Sequence, residues 1–355
     1  MAKDERIAAV TGRWAPRFIS NGVPLTDYDQ VTGALERWDD WCRAWAARAA
    51  EHEEAGRKAL ADGCTITAAQ HLDTAGVLYH FAKFVFIEDM DQMRATHAKA
   101  VACHNLALPH LDPPGERVEI PYQGKTLYGN LRKPDGVAKP PVVILCMGMD
   151  SAKEEMSTNE AHFLKRGLAT LTFDGPGQGE GEYDLPICPE YEKPVAAVCD
   201  FIEARDDLDA NAIGAWGVSF GGYYAPRAAA FEKRIKACIG ISGPFDFGEL
   251  FRKGNLNDVF RVRAHAKDAD EAYEVAKRVN LTGVAKKISC PLLIIAGEFD
   301  TIAPPSEQER LVAEASGPSE LLFLKGGNHC GNNLRHKYSP YSADWMAQHL
   351  GGHVQ

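Results

Sequence analysis

From about residue 113 onward, short runs of β-forming residues alternate with helical stretches, and this alternation limits the possible folds more than any other feature. A chain with this pattern builds a mostly parallel sheet that helices cover, since each helix returns it to the end where the next strand begins. The predicted strands are short and apolar, as expected for a sheet buried on both faces. They are PPVVILCM, LATLTFD, AIGAWG, IKACIGIS, PLLIIAG and LLFLKG, after an antiparallel hairpin in RVEIPYQGKTLYGNLRKP. The predicted fold class is therefore α/β.

The first third of the chain has a different pattern. Residues 27–111 contain few glycines or prolines, and apolar side chains recur there at steps of three and four, which predicts consecutive helices. The segment LDPPGE that follows signals a boundary. A chain of 355 residues exceeds the usual size of one hydrophobic core. We therefore expect a helical domain over 1–112 and a second domain over 113–355, with a helical insertion at about 246–284.

Ser219 lies in the sequence Gly217-Val218-Ser219-Phe220-Gly221, between the predicted strand AIGAWG and the helical run GYYAPRAAAFEKR. A serine on a sharp strand-to-helix turn is typical of a nucleophile elbow, in which flanking glycines let the two backbones approach closely. The N-terminus of the following helix offers N–H groups and a positive dipole end to an oxyanion. An ordinary glycine-rich turn is the alternative interpretation. The sequence thus predicts Ser219 as a nucleophile.

A nucleophilic serine needs a base, and the base needs an orienting acid. Asp300 follows the predicted strand PLLIIAG, and His329 follows the last predicted strand, in the order Ser, Asp, His that such elbows use. Each taken singly could instead be an ordinary turn or loop residue. Glu298 is a competing acid, which we rank behind Asp300 because side-chain alternation is expected to point it the opposite way.

An oxyanion hole needs two N–H donors, one just after the nucleophile and one from the loop after an earlier strand. Phe220 is the first candidate. Met149, in the loop after VVILC, is the second, and Gly148 beside it would leave room for the substrate. The glycine-rich run 174–179 has the spacing of neither common phosphate-binding loop. We therefore interpret it as a tight turn and expect no nucleotide binding.

Several of these segments together resemble a known family. They are LYHFAKF in the helical part, MGMDSAKEE, FDGPGQGEG, GVSFGGYYA, GEFD and GNHC. The chain resembles the α/β-hydrolases that include 2,6-dihydroxypseudooxynicotine hydrolase and the fungal polyketide-shortening hydrolases of the yellow-green pigment type. The resemblance implies an α/β-hydrolase fold with an N-terminal helical cap and a triad of Ser219, Asp300 and His329. It also implies cleavage of a carbon–carbon bond beside a ketone, without a metal or an organic cofactor.

Cleavage of such a bond expels a carbanion, so we expect a small aromatic or polyketide-like substrate that delocalises the charge. Tyr79, His80 and Tyr224 are the candidate substrate-binding side chains. The alternative for the first two is packing between helices, and for Tyr224 packing under the sheet. A carboxylesterase or lactonase acting on small aromatic esters would use the same triad. A non-catalytic binding protein is expected to have lost a triad residue, and none is missing.

Composition bears on partners and compartment. The net charge of −10 argues against nucleic acid or an anionic membrane as a partner, because each requires a basic surface. The sequence contains neither an apolar run of 18 residues nor a signal-peptide pattern, so we expect a cytoplasmic protein. The nine cysteines have no metal-ligand spacing, although Cys330 directly follows His329. Apolar helices in the first domain are compatible with a homodimer.

Overall fold

One eight-stranded sheet and a set of helices make up the described part of the chain, which is residues 4–252 and 257–353 of the computed structural model. The strands are β1 Gly115–Tyr122, β2 Lys125–Arg132, β3 Pro141–Cys146, β4 Ala169–Asp174, β5 Asp209–Val218, β6 Ile235–Ile241, β7 Leu292–Gly297 and β8 Ser319–Leu324. They lie in the order β1-β2-β4-β3-β5-β6-β7-β8, and β2 pairs with β4 antiparallel, whereas the pairs from β4 to β8 are parallel. The α/β prediction is confirmed.

The residues group into two units. The first comprises Met1–Arg117 and Glu154–Asn159, and the second comprises Val118–Lys153 and Glu160–Gln355. The sequence analysis placed segment 154–159 in the second domain, so its grouping with the N-terminal helices was not anticipated. Residues 1–3 of the predicted helical domain and 253–256 of the predicted insertion lie outside the described residues. The role of the first unit as a cap stays a prediction.

Helices of the first unit pack around aromatic side chains. The Phe81 ring stacks on Phe18 with a centroid distance of 3.8 Å, and Trp41 and Trp45 are fully buried beside them. Aromatic side chains bury large apolar areas, so this cluster forms the core of the unit. The helices are α1 Glu5–Ser20, α2 Leu25–Ala34, α3 Trp41–Ala61, α4 Thr65–Lys83 and α5 Met90–Ala107.

A buried ion pair ties segment 154–159 to α1. The Glu155 carboxylate accepts hydrogen bonds from Arg17 at 2.6 Å and from Asn21 at 3.0 Å. Burial raises the pKa of Glu155, but the charges of Arg17 and His80 outweigh burial and hold it well below its usual range. The carboxylate is therefore ionised inside this unit.

The central strands of the sheet are buried. Every residue of β4 and β7 is buried, as the apolar runs in the sequence predicted. The remaining helices are α6 Ser157–Leu164, α7 Glu192–Glu203, α8 Gly221–Phe231, α9 Phe247–Phe251, α10 Asn257–Arg263, α11 Ala269–Arg278, α12 Pro305–Glu314 and α13 Arg335–Leu350. No helix among the described residues is long and apolar enough to cross a membrane.

Candidate active site

Ser219 lies on the turn between β5, which ends at Val218, and α8, which begins at Gly221. Its φ angle is 56°, in the left-handed region that a non-glycine residue rarely adopts. The Ser219 N–H donates to the Ile241 carbonyl at 2.9 Å, and its own carbonyl accepts from the Gly222 N–H at 2.7 Å. These bonds hold the strained turn in place, as the elbow prediction requires.

The glycines around Ser219 are required by close backbone contacts. A Cβ atom on Gly217 would lie 1.9 Å from the Gly221 carbonyl oxygen. A Cβ atom on Gly221 would in turn lie 1.9 Å from the Cys146 carbonyl oxygen at the end of β3. Both obstacles are backbone atoms that cannot rotate away. The helix can therefore begin this close to the strands only because these positions carry no side chain.

Three predicted side chains come together in the second unit. Ser219 Oγ lies 2.9 Å from His329 Nε2. On the other side of the imidazole, Nδ1 lies 2.8 Å from Asp300 Oδ2 and 3.0 Å from Oδ1. Asp300 Oδ1 also accepts the backbone N–H groups of Ile302 and Ala303, both at 2.9 Å. These distances are those of a hydrogen-bonded relay from hydroxyl to imidazole to carboxylate.

The surroundings favour a charged carboxylate and a basic imidazole. Burial raises the pKa of Asp300, but His329 and the backbone donors outweigh burial and hold it below 3.8. Burial lowers the pKa of His329, whereas the Cys330 sulfur and the Asp300 carboxylate raise it, and the net result is a pKa above 6.5. The imidazole is thereby a stronger base than a free histidine side chain.

Ser242, which the sequence analysis did not select, supports this relay. It directly follows β6, its φ angle is 50°, and its Oγ accepts the Cys330 N–H at 3.0 Å. A hydrogen bond from Ser242 also helps to lower the pKa of Asp300. Cys330 itself has a φ angle of 58° and is buried. The sequence feature that could have identified Ser242 is its position as a polar residue at the carboxyl end of a buried strand, where ligand sites in α/β sheets lie.

The competing acid Glu298 lies elsewhere, but the reason given for ranking it second was wrong. Its Oε2 accepts the Gly326 N–H at 2.7 Å, whereas the carboxylate beside His329 Nδ1 is that of Asp300. Residues two apart on a strand point to the same face, so alternation could not have separated positions 298 and 300. Strand β7 also ends at Gly297, before either residue. The geometry agrees with Asp300 as the partner of His329.

The two oxyanion candidates have N–H groups that make no hydrogen bond to any described residue. Both Phe220 and Met149 are buried, where an unpaired N–H is costly and therefore uncommon. A Cβ atom on Gly148 would lie 3.3 Å from the Ser219 Cβ and 3.1 Å from the Ser151 Oγ. The loop after β3 thus runs directly beside the nucleophile candidate.

The other substrate-binding candidates are buried side chains. Tyr79 donates its hydroxyl to Glu53 at 2.8 Å, and His80 Nε2 lies 3.6 Å from Glu155, both within the first unit. Tyr224 stacks on Tyr191 in the second unit, with a centroid distance of 3.7 Å. These contacts give all three a packing role, and their contact with a substrate stays a prediction. In the second unit, the described residues contain no three metal-ligating side chains close enough to share an ion.

A family model and a bacterial protein are each similar to this chain over most of its length. A family model described as esterase FrsA-like matches residues 25–350. A protein of Paenarthrobacter nicotinovorans named 2,6-dihydropseudooxynicotine hydrolase is 31% identical over 335 residues, which cover 93% of this chain and 90% of that one.

The chain belongs to the FrsA-like esterase family.

It is a hydrolase with the α/β-hydrolase fold. The crystal structure of a 2,6-dihydroxy-pseudo-oxynicotine hydrolase superimposes with a TM-score of 0.87 at 31% identity, covering 96% of this chain and 97% of that one. A fungal relative, the α/β hydrolase xenA of Xenoacremonium sinensis, is 30% identical over 65% of this chain and 58% of its own length. The resemblance found in the sequence is confirmed. These likenesses leave the roles of individual side chains and the substrate to be proposed.

Proposed function

We propose that this chain is a serine hydrolase that cleaves a carbon–carbon bond adjacent to a ketone in a small aromatic or polyketide-like substrate. The observation that carries the proposal is the unbroken series of contacts from Ser219 Oγ to His329 and on to Asp300. This arrangement lets the imidazole take the hydroxyl proton while the carboxylate stabilises the resulting imidazolium.

The first half of the reaction forms an acyl-enzyme. Ser219 Oγ attacks the carbonyl carbon, its proton moves to His329 Nε2, and the carbonyl oxygen becomes an oxyanion. The N–H groups of Phe220 and Met149 stabilise this oxyanion, since they have no other partner among the described residues. When the oxyanion collapses, the carbon–carbon bond breaks and its electron pair leaves with the departing carbon. The His329 imidazolium returns the proton to that carbon.

The second half restores the enzyme. A water molecule gives a proton to His329 and attacks the acyl carbon. The second tetrahedral intermediate then collapses with expulsion of Ser219 Oγ, which takes that proton back from His329 Nε2. The products are a carboxylic acid and the protonated leaving group. Because a simple carbanion is too basic to leave, the substrate must delocalise the charge, for example into a hydroxylated aromatic ring. The resemblance to carbon–carbon hydrolases supports this choice of substrate.

The test uses two matched substrates, a dihydroxyphenyl ketone and the dihydroxyphenyl ester of the same acid. Turnover of the ketone in heavy water is expected to release the acid and an aromatic fragment that carries deuterium on the cleaved carbon, as detected by mass spectrometry. Ser219→Ala controls for uncatalysed cleavage and exchange. The expected kcat/KM is higher for the ketone than for the ester.

A carboxylesterase or lactonase for small aromatic esters is the second candidate, favoured by the esterase description of the matching family. It uses the same three side chains and needs no delocalised carbanion. Efficient ester or lactone hydrolysis, with no ketone cleavage across a panel of hydroxylated aryl ketones, would replace the first proposal with this one.

A further inference from the structure

The glycine-rich run 174–179, which the nucleophile relay leaves unexplained, places a buried glutamine against the oxyanion loop. Gln178 is fully buried in the second unit. Its Nε2 donates to the Met147 carbonyl at 2.6 Å and to the Gly148 carbonyl at 2.7 Å. Both carbonyls belong to the loop that follows β3. A single side-chain amide therefore holds two successive peptide units of this loop.

The orientation of those peptide units decides where the loop N–H groups point. A peptide unit is planar and trans, so its N–H points opposite to its C=O. The Gly148 carbonyl shares its peptide unit with the Met149 N–H. When Gln178 fixes the direction of that carbonyl, it also fixes the direction of the Met149 N–H. Donation to the carbonyl polarises the same unit, which strengthens its N–H as a donor.

The amide of Gln178 is itself held in one orientation. The Tyr191 hydroxyl donates to Gln178 Oε1 at 2.6 Å, so Nε2 faces the two carbonyls and cannot exchange places with Oε1. Gly175 leaves room for this hydroxyl, because a Cβ atom there would lie 2.0 Å from it. The Tyr191 ring in turn stacks on Tyr224. Tyr191, Gln178 and the loop thus form a chain of contacts that ends at Met149.

The two glycines that flank Gln178 are needed for this placement. Gly177 and Gly179 have φ angles of 78° and 47°, in the region that favours glycine. A Cβ atom on Gly179 would lie 2.1 Å from the Asp174 carboxyl carbon, and one on Gly177 would lie 2.5 Å from an Ile187 side-chain carbon. The run Gly-Gln-Gly thus turns tightly enough to bury the glutamine.

From these contacts we infer that Gln178 is a positioning residue that aims the Met149 N–H at the oxyanion. It touches no reacting atom and acts through the Gly148 peptide. This inference rests on the proposed serine-hydrolase function. Transition-state stabilisation by an oxyanion donor appears in kcat rather than in KM, because the oxyanion exists only after attack.

The main test compares Gln178→Met, which is similar in size but has no donor, with the wild-type enzyme on an activated phenyl ester. Complete loss of one oxyanion donor lowers kcat by about 10²- to 10³-fold. A donor that is only misaligned should cost less, so we expect kcat of Gln178→Met to be about 10- to 100-fold lower than that of wild type. KM is expected to stay within about twofold. The affinity for an arylboronic acid, which forms a tetrahedral adduct with a catalytic serine, should fall in parallel with kcat. Tyr191→Phe keeps the amide but frees its orientation, so we expect a smaller loss in the same direction.

Two variants control for a merely structural effect. Gln308 is also buried and donates to the Gly243 carbonyl at 2.7 Å, so Gln308→Met removes a comparable bond outside the oxyanion loop. Tyr223→Phe removes a buried hydroxyl that donates to Pro189, and so matches Tyr191→Phe. Both controls are expected to lower thermal stability while kcat and boronate affinity stay within about twofold of wild type.

Failure of the inference and failure of the proposed function give different results. If wild type binds the boronate and Gln178→Met keeps the wild-type kcat and boronate affinity, Gln178 does not position the loop. If Gln178→Met does not fold, the same result in Tyr191→Phe leads to the same conclusion. If wild type does not bind the boronate and Ser219→Ala keeps its turnover, the serine mechanism itself is wrong, and the role of Gln178 is rejected with it.

Discussion

At the scale of single residues, three non-glycine residues in the left-handed backbone region surround the candidate site. They are Ser219 after β5, Ser242 after β6 and Cys330 beyond β8. Each such conformation costs about 1 to 3 kcal/mol and persists only where the surrounding structure imposes it. Their concentration around one imidazole is the pattern expected of a site built for chemistry rather than for stability.

Sequence reasoning found the residues of this relay whose positions relative to strands are distinctive. Ser219, Asp300 and His329 each follow a strand, in a recognisable order, and the glycines around Ser219 have a clear steric purpose. Ser242 also follows a buried strand, but that position alone does not reveal its role, which depends on a contact with Cys330 far along the chain. A serine after a strand otherwise looks like any turn residue.

Replacement of the orienting carboxylate is a direct test of its role. Asp300→Asn is expected to preserve the fold but to leave His329 in the wrong tautomer, with kcat reduced by about 10³ to 10⁴. Glu298→Gln is the matched control, since its carboxylate accepts a backbone N–H of Gly326 instead. Steady-state kinetics of the two variants measure the difference. A larger loss in Glu298→Gln would mean that the wrong carboxylate was assigned.

The pH dependence of the reaction follows from the raised pKa of His329. The base must be neutral to accept the Ser219 proton, so activity is lost as the pH falls below this pKa. Because the pKa lies above 6.5, the acidic limb of kcat/KM should have its midpoint above 6.5. Cys330→Ala removes one cause of the increase and should move the midpoint to lower pH. An unchanged midpoint in this variant would show that Cys330 does not influence the imidazole.

At the scale of elements, the hairpin and the elbow follow from local sequence. The turn between β1 and β2 is Gln123-Gly124, with φ angles of 49° and 74°, as a tight two-residue hairpin requires. The sequence analysis predicted an antiparallel hairpin in this segment, RVEIPYQGKTLYGNLRKP. The order of strands in the sheet was not predicted, since it depends on pairings between segments far apart in the chain.

The elbow glycines give a prediction for stability. A Cβ atom on Gly221 would overlap the Cys146 carbonyl oxygen, so Gly221→Ala is expected to destabilise the fold by about 1 to 3 kcal/mol or more. A Cβ atom on Gly12, inside α1, would meet no atom within 4 Å apart from the adjacent backbone of its own helix, so Gly12→Ala is expected to stabilise the fold by about 0.5 to 1 kcal/mol. Melting temperatures of the two variants should therefore move in opposite directions. A Gly221→Ala protein as stable as wild type would contradict the steric account.

At the scale of the whole molecule, the boundary between the two domains was predicted from a proline- and glycine-rich segment, which is a local feature of the sequence. The grouping of Glu154–Asn159 with the N-terminal helices depends instead on long-range contacts. Glu155 pairs with Arg17, 138 positions earlier in the chain. Two oppositely charged residues so far apart in sequence give no signal of their pairing, because exposed charges of both signs occur throughout the chain. Local patterns therefore predicted the elements but not this assembly.

The central claim is that Ser219 forms a covalent acyl-enzyme with its substrate, and mass spectrometry of the whole protein tests it most directly. An active-site-directed fluorophosphonate is expected to add one mass increment to wild type, on the peptide that contains Ser219, and none to Ser219→Ala. The same variant should retain less than about a hundredth of the wild-type turnover. Labelling of another residue, or turnover in Ser219→Ala above that level, would contradict the account.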